Sequence, residues 1–295
     1  MSQINIMALR HSAFYSPLLL MMAGGFLKDE GLDFTYALAT PENTVPDAIA
    51  KGTCHVAQSA VATRLMELEK GAESNIVHFA QINARDGFFL AAREPDDSFE
   101  WGKLVGKRVL VDHFFQPLAM FRYALFKKGI DAASVEFIDA GDVNAMDKAF
   151  RSGLGDFVHQ QGPAPQQLEK EGVGHVVANV GDAIGPVAFS SLCASREWCD
   201  SDMARAFLRA YKKSLAYVIE APAVDIARQE IEAGFFPGVE PDVLSRTIAD
   251  YQSLGCWELD TEISEATYQN LQDVFLHSEL ISRRYDYDDV VVKIE

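Results

Sequence analysis

Strand-like and helix-like segments alternate through the first two-thirds of the chain, and then the alternation stops. A repeating strand–helix order predicts a parallel α/β sheet with helices on its faces, so it excludes an all-β sandwich and an all-helical bundle. In the first unit Ile4–Leu9 alternates like a strand. A helix is predicted from Ser16, its N-cap, with Pro17 at the first helical position, to about Glu30, where Gly31 ends it. Leu32–Leu38, Cys54–Gln58, Ile76–Ile82 and Phe88–Ala92 read as strands, Val45–Lys51 as a short helix, and Ser59 as the cap of another.

A second unit starts near residue 95, after the turn-rich Glu94-Pro95-Asp96-Asp97-Ser98. Lys107–Val111, Val135–Ile138, Asp156–His159, Val173–Val180 and Val187–Ala194 are its predicted strands. Pro117 opens a helix that closes at Gly129, and further helices are predicted at Val143–Arg151 and Pro163–Lys170. From Ser201 onward only helices are predicted, about 202–220, 222–233, 241–254 and 264–280. Phe207, Leu208, Tyr211, Leu215 and Val218 mark one packed face there, and Tyr285-Asp286-Tyr287-Asp288-Asp289 reads as a solvated acidic tail.

Forty-three acidic against 26 basic residues give a formal charge of −17, which excludes a general binder of nucleic acid or of anionic membranes. Cys54, Cys193, Cys199 and Cys256 show no paired spacing and read as buried free thiols, not a disulfide or zinc framework. The start of the chain has no basic, apolar, small-residue leader pattern, and no apolar run is long enough to span a membrane. Taken as complete, such a chain is expected in the cytoplasm; with a leader removed, in the periplasm. No nucleotide-binding, P-loop, zincin or nucleophile-elbow motif is present, and no cofactor is expected.

Ligands of open α/β sheets sit beyond the carboxyl ends of the strands. The exits of the first unit carry His11, Ser12, Phe14 and Tyr15, then Gln58 and Ser59, then Asn83 and Arg85. Those of the second carry His113, Phe114, Phe115 and Gln116, then Asp139 and Asp142, then His159, Gln160 and Gln161. Rings mixed with imidazoles and amides suit a pocket that stacks a flat body and hydrogen-bonds its edges. Most Asp and Glu fall on helix faces, linkers and the tail, which predicts a neutral-to-basic cleft. No metal site is expected, because the histidines lack ligand spacing.

Four stretches then carry a resemblance. Ala23-Gly24-Gly25-Phe26-Leu27-Lys28-Asp29-Glu30-Gly31-Leu32-Asp33 resembles the first-helix exit of NMT1/THI5-like substrate-binding proteins, which include nitrate, sulfonate and thiamine-precursor binders of ABC transporters. Leu104-Val105-Gly106-Lys107-Arg108-Val109, Ala149-Phe150-Arg151-Ser152-Gly153-Leu154-Gly155-Asp156, and Arg205-Ala206-Phe207-Leu208-Arg209-Ala210 with Glu220-Ala221-Pro222 agree in the same order. The resemblance implies a type II periplasmic-binding-protein fold, α/β, with two Rossmann-like lobes joined by two crossing strands. The first lobe would take residues 1–90, the second 91–187, and the return segment 188–295 would pack its helices on the first lobe. Hinged closure about a ligand held between the lobes would follow, with membrane subunits of an ABC transporter as partners and no membrane insertion.

The family's pyrimidine synthases use a lysine near the third strand exit, where this chain reads Val56-Ala57-Gln58-Ser59-Ala60, and a cysteine-rich run where it has only Cys193 and Cys199. A pyridoxal phosphate Schiff base is therefore not expected. The desulfinase branch resembles a cysteine nucleophile backed by His and Arg, and the first loop here holds no cysteine. The expected function is thus capture of a small aromatic or heteroaromatic molecule, of the thiamine-precursor pyrimidine, sulfonate or aromatic-acid class. An enzyme on the same fold with His113 or His159 as general base, and a ligand-sensing regulatory subunit, stay open beside it.

Overall fold

Ten strands divide evenly between two sheets in the computed structural model, which describes residues 1–294. The first sheet holds β1 (Ser2–Ala8), β2 (Leu32–Leu38), β3 (Val56–Ser59), β4 (Ile76–Asn83) and β10 (Ser190–Ser195) in the order β2-β1-β3-β10-β4. The second holds β5 (Phe88–Ala92), β6 (Arg108–Val111), β7 (Glu136–Ile138), β8 (Phe157–Gln161) and β9 (His175–Asn179) in the order β7-β6-β8-β5-β9. The two orders have the same plan, so β6 occupies in its sheet the place of β1, and β8 the place of β3.

Neither sheet is wholly parallel, as the strand–helix alternation had suggested. β10 runs antiparallel to β3 and β4, and β5 antiparallel to β8 and β9. These two strands arrive from the opposite lobe, so each enters its sheet from the cleft side and runs against its neighbours. Phe88–Ala92 straddles residue 90 and pairs wholly within the second sheet. We place the passages between the lobes at residues 84–87 and 185–189.

Local chemistry moves several boundaries. The first helix is broken in two, α1 (Ser16–Ala23) and α2 (Phe26–Asp29), because Gly25 takes a left-handed φ of 79° between them. Ser16 is the first helical residue and not the cap; Ser12 instead caps a short turn at Ala13–Tyr15 by accepting from the Phe14 N–H. After α3 (Val45–Ala50), α4 (Val61–Glu69) is preceded by Ala60, and Ser59 stays in its strand. α5 (Phe115–Lys127) begins two residues before Pro117, and β8 runs on through His159, Gln160 and Gln161, which had been read as lying partly or wholly beyond the strand. α6 (Val143–Arg151) and α7 (Ala164–Lys170) complete the helices beside the second lobe's cleft face, and α8 (Val180–Ile184) leads back.

Helices α9 (Arg196–Cys199), α10 (Asp202–Glu220), α11 (Ala223–Glu232), α12 (Pro241–Leu254) and α13 (Glu265–His277) make up the return segment. α10 and α11 lie on α1, while α12 also reaches α7 across the lobes. There Lys170 Nζ pairs with Glu240 at 2.6 Å and Asp242 at 2.7 Å. The acidic tail is not solvated throughout. Tyr285 is buried, and Val290–Val292 bonds to His78 along β4, covering what would otherwise be an open sheet edge. All four cysteines are buried and unpaired.

Candidate functional site

The carboxyl ends of β1, β6, β7 and β8 face one another across a cleft of about 1120 Å³ between the lobes. Arg10, His11 and Ser12 come from the turn after β1, and Asp112, His113 and Phe114 from the equivalent turn after β6. Asp139, Asp142 and Val143 follow β7, and His159, Gln160 and Gln161 come from the end of β8. Leu38 and Val143, both exposed, place apolar surface on the two sides of the cleft.

The expected residues separate into three groups. His11, Ser12, His113, Phe114, His159, Gln160 and Gln161 line the cleft. Tyr15, Gln58 and Gln116 surround a recess of about 30 Å³ that shares Arg10, Phe88, Phe114 and Gln161 with it. Phe14, Ser59, Asn83, Arg85 and Phe115 line neither. The Phe14 ring is fully buried 4.9 Å from Tyr251, and Asn83 is occupied with the Phe14 carbonyl at 2.8 Å and the Ser190 hydroxyl. Ser59 is buried beside Thr63, and the half-buried Phe115 ring packs edge-on against Phe275. A strand exit presents alternate side chains to the two sides of the backbone, so half of any such run turns into the core.

The imidazoles differ in their chemistry. His11 Nε2 donates to the Phe235 carbonyl at 2.7 Å, which leaves Nδ1 of the neutral ring to accept from the Tyr36 hydroxyl at 2.9 Å. Burial lowers its pKa, so His11 is held as a neutral strut. His113 Nδ1 donates to the Val111 carbonyl at 2.7 Å. His159 is fully buried, stacked 4.5 Å from Phe88 with the Phe121 ring tilted 4.9 Å away, and neither ring nitrogen is hydrogen-bonded. Burial pushes it down to about 3, so it stays neutral at ordinary pH and is too weak a base for proton abstraction near pH 7. Gln160 Nε2 donates to the Val143 carbonyl at 3.3 Å, while its buried Oε1 has no partner.

The cleft is acidic, contrary to the neutral-to-basic expectation. Asp112, Asp139, Asp142, Asp147 and Glu171 line it against two guanidinium groups, Arg10 and Arg151. Arg151 pairs with Asp147 at 2.6 Å and with Glu171. Arg10 Nη1 pairs with Asp112 Oδ2 at 2.5 Å, joining the two lobes. Burial alone would raise the Asp112 pKa, but the hydrogen bond and charge of Arg10 and the Phe114 amide hold it below the usual carboxylate range. The amides at the helix starts are likewise engaged: Asp112 Oδ1 accepts from Phe114 N, Asp139 Oδ1 from Gly141 N and Asp142 Oδ1 from Ala145 N, each at 2.9 Å. Attention to imidazoles and amides missed Arg10 and Asp112. Their signal was positional, since Arg10 directly precedes His11 after one strand and Asp112 directly precedes His113 after its counterpart.

Among the described residues no group of three or more His, Cys, Asp or Glu side chains converges as a metal site, and no helix is long and apolar enough to cross a membrane.

Comparisons with known proteins fit this architecture. Residues 14–224 match the family model described as NMT1/THI5 like. A Bacillus subtilis (strain 168) protein named "Putative binding protein YtlA" is 28% identical over 297 residues, covering 99% of this chain and 88% of that protein. The alkanesulfonate-binding protein SsuA from Xanthomonas axonopodis pv. citri, bound to MOPS, superposes with a TM-score of 0.73 at 16% identity, covering 99% of each chain. The periplasmic nitrate-binding protein NrtA from Synechocystis PCC 6803 gives 0.70 at 15% identity, over 98% of this chain and 85% of that one. With the family model spanning most of its length and two like-ordered sheets facing a shared cleft, the chain belongs to the NMT1/THI5-like family and has its two-lobed, type II periplasmic-binding-protein fold.

Proposed function

We propose that this protein is the solute-binding component of an ABC-type importer, and that it captures a small aromatic or heteroaromatic solute between its lobes. The observation that carries this reading is the cleft itself. It is bounded by both lobes, large enough for such a solute, and walled by the partly exposed Phe114 ring beside unsatisfied hydrogen-bonding groups. Phe114 supplies a face for stacking, and Gln160 and Gln161 supply amide edges. The relatives named for binding, sulfonate-binding and nitrate-binding support solute capture as the activity. Membrane subunits of a transporter are the partners this reading implies. Catalysis is disfavoured because the four thiols are buried and His159 is held neutral as a poor base.

A thermal-shift panel of aminopyrimidines, arylsulfonates and aromatic acids tests the reading. A solute present at 100 times its Kd adds about 2.7 kcal/mol of stability, a rise of several degrees in Tm. Phe114→Ala is expected to weaken binding of that solute by roughly two- to tenfold, the worth of one aromatic stack. A panel in which no cleft-sized molecule moves the Tm would defeat the proposal.

A further inference from the structure

The Asp112 carboxylate lies in the cleft between a guanidinium of one lobe and a backbone amide of the other. One oxygen accepts from Arg10 Nη1, on the first lobe, at 2.5 Å; the other accepts from the Phe114 amide that leads into α5, on the second lobe, at 2.9 Å. A guanidinium from one side of a cleft and a helix-leading amide from the other make a receptor for a carboxylate or sulfonate. Here the receptor is filled from within the chain. Arg10 is further engaged through its backbone N–H, which donates to Gln58 Oε1 at 3.1 Å, and its guanidinium lies 5.0 Å from the Phe114 ring centroid. The other cleft guanidinium, Arg151, is already held by Asp147 and Glu171.

From this we infer that Asp112 is a charge-selectivity residue: a built-in anion that occupies the Arg10–Phe114 receptor, excludes anionic solutes and bridges the lobes in their place. The inference rests on the cleft being the solute site, and it narrows that site to neutral or cationic rings. Two features besides the ion pair agree. The buried Gln160 Oε1 is an unpartnered acceptor at the cleft wall. The Asp139 and Asp142 carboxylates also face the cleft, with one oxygen of each free beyond its backbone amide. An anion entering would have to displace Asp112 and leave its charge partly buried, which costs more than the new pair returns. A ring bearing an amino or amidinium group meets acceptors instead.

Asp112→Asn tests the idea, because the amide oxygen can still accept from Phe114 N while the charge on Arg10 is released. Calorimetric titration would use benzenesulfonate, benzoate, 4-aminopyrimidine and benzamidine as probes. The wild-type protein is expected to ignore the two anions, and D112N to bind them at least about tenfold more tightly, the worth of one charge-assisted hydrogen bond. That gain should disappear in the double variant R10Q/D112N. If D112N does not fold, R10Q alone leaves Asp112 unpaired and should raise the preference for benzamidine over 4-aminopyrimidine by about tenfold. Wild-type protein that binds the anions as tightly as D112N, a D112N gain that survives loss of Arg10, or an R10Q preference unchanged from wild type would each overturn the inference. Binding of anions by the wild type would leave solute capture in the cleft standing. A wild type and variants that bind none of the four would defeat this inference and count against that capture too.

Discussion

Stability is expected to fall as pH rises from about 6.5 to 8, the reverse of the usual gain as carboxylates ionise. Asp86, fully buried in the first passage between the lobes, has one oxygen accepting from Phe88 N at 2.7 Å and the other unpartnered. Burial raises its pKa from 3.8 to about 8, against the smaller opposing effect of the Phe88 amide. Glu230 on α11 is also fully buried, and burial pushes it well above its ordinary 4.5, against the smaller lowering by neighbouring Ser16. Three histidines move the other way: burial lowers His78 and His159 from 6.5 to about 3, and lowers His11 against the smaller opposing effect of its bond to the Phe235 carbonyl.

The sign follows group by group. Above the ordinary carboxylate range the folded chain retains protons on Asp86 and Glu230 that the unfolded chain has released, so raising the pH favours unfolding. Each retained proton contributes about 1.4 kcal/mol per pH unit. Below 6.5 the unfolded histidines take up protons that the buried rings refuse, so lowering the pH favours unfolding by a like amount per ring. Between about 4.5 and 6.5 the two carboxyls oppose the three imidazoles, and stability should rise only gently with pH. Below 4 the histidine contribution remains, and paired carboxylates such as Asp112, held low by Arg10, add to it as they are protonated, so stability should drop steeply. Urea melts at pH 6 and pH 8 should therefore show lower stability at pH 8, and Asp86→Asn should reduce the difference. Equal or greater wild-type stability at pH 8 contradicts the assignment.

Tyr251 carries the second large effect. It lies on α12, in the return segment, yet its hydroxyl accepts from the Gly162 N–H just after β8 at 2.8 Å, and its ring lies 5.3 Å from Phe89 in β5. Phe14 at 4.9 Å and Trp257 at 5.9 Å complete its surroundings, and the ring is fully buried. Ser12 Oγ donates to the carbonyl of the same Gly162 at 2.9 Å, so the backbone of this one residue is held on both sides, by the first lobe and by the return segment. Tyr251→Ala empties a large buried site and should cost about 3–5 kcal/mol, the range for deleting a buried aromatic ring. Tyr251→Phe keeps the packing but strands a buried N–H, at a cost of about 1–3 kcal/mol. Chemical denaturation separates the two contributions, and a Phe variant within about 0.5 kcal/mol of wild type would mean that water or another group satisfies Gly162.

The ranges of Leu32–Leu38, Phe88–Ala92, Val143–Arg151, 202–220 and 241–254 were legible to the residue because apolar periodicity and caps act locally. Ser201 shows why: its hydroxyl accepts from Ala204 N at 3.1 Å, a bond made within four residues. Periodicity could not show that β5 and β10 run against their neighbours, since strand direction depends on which lobe the chain has just left. The tail misled for a similar reason. Five residues rich in acid read as solvated, while the buried Tyr285 side chain hydrogen-bonds Glu69 on a helix more than two hundred positions earlier.

At the cleft, chemistry was legible by type but not by partner. The turns carrying His11 and His113, and the strand end carrying His159, were found from strand exits alone, because the carboxyl ends of the parallel strands in such a sheet face the same side. Which of their groups remain available depends on neighbours that only folding brings near. His11 is taken by Tyr36 and Phe235, and Phe14 and Phe115 turn into the packing. The sequence by itself therefore determined two α/β units, a helical return and the turns that meet at the cleft, since propensity and periodicity are local. The tertiary structure decided the charge of that cleft, because Arg10 and Asp112, 102 positions apart, become an ion pair only when two lobes of the same plan face each other.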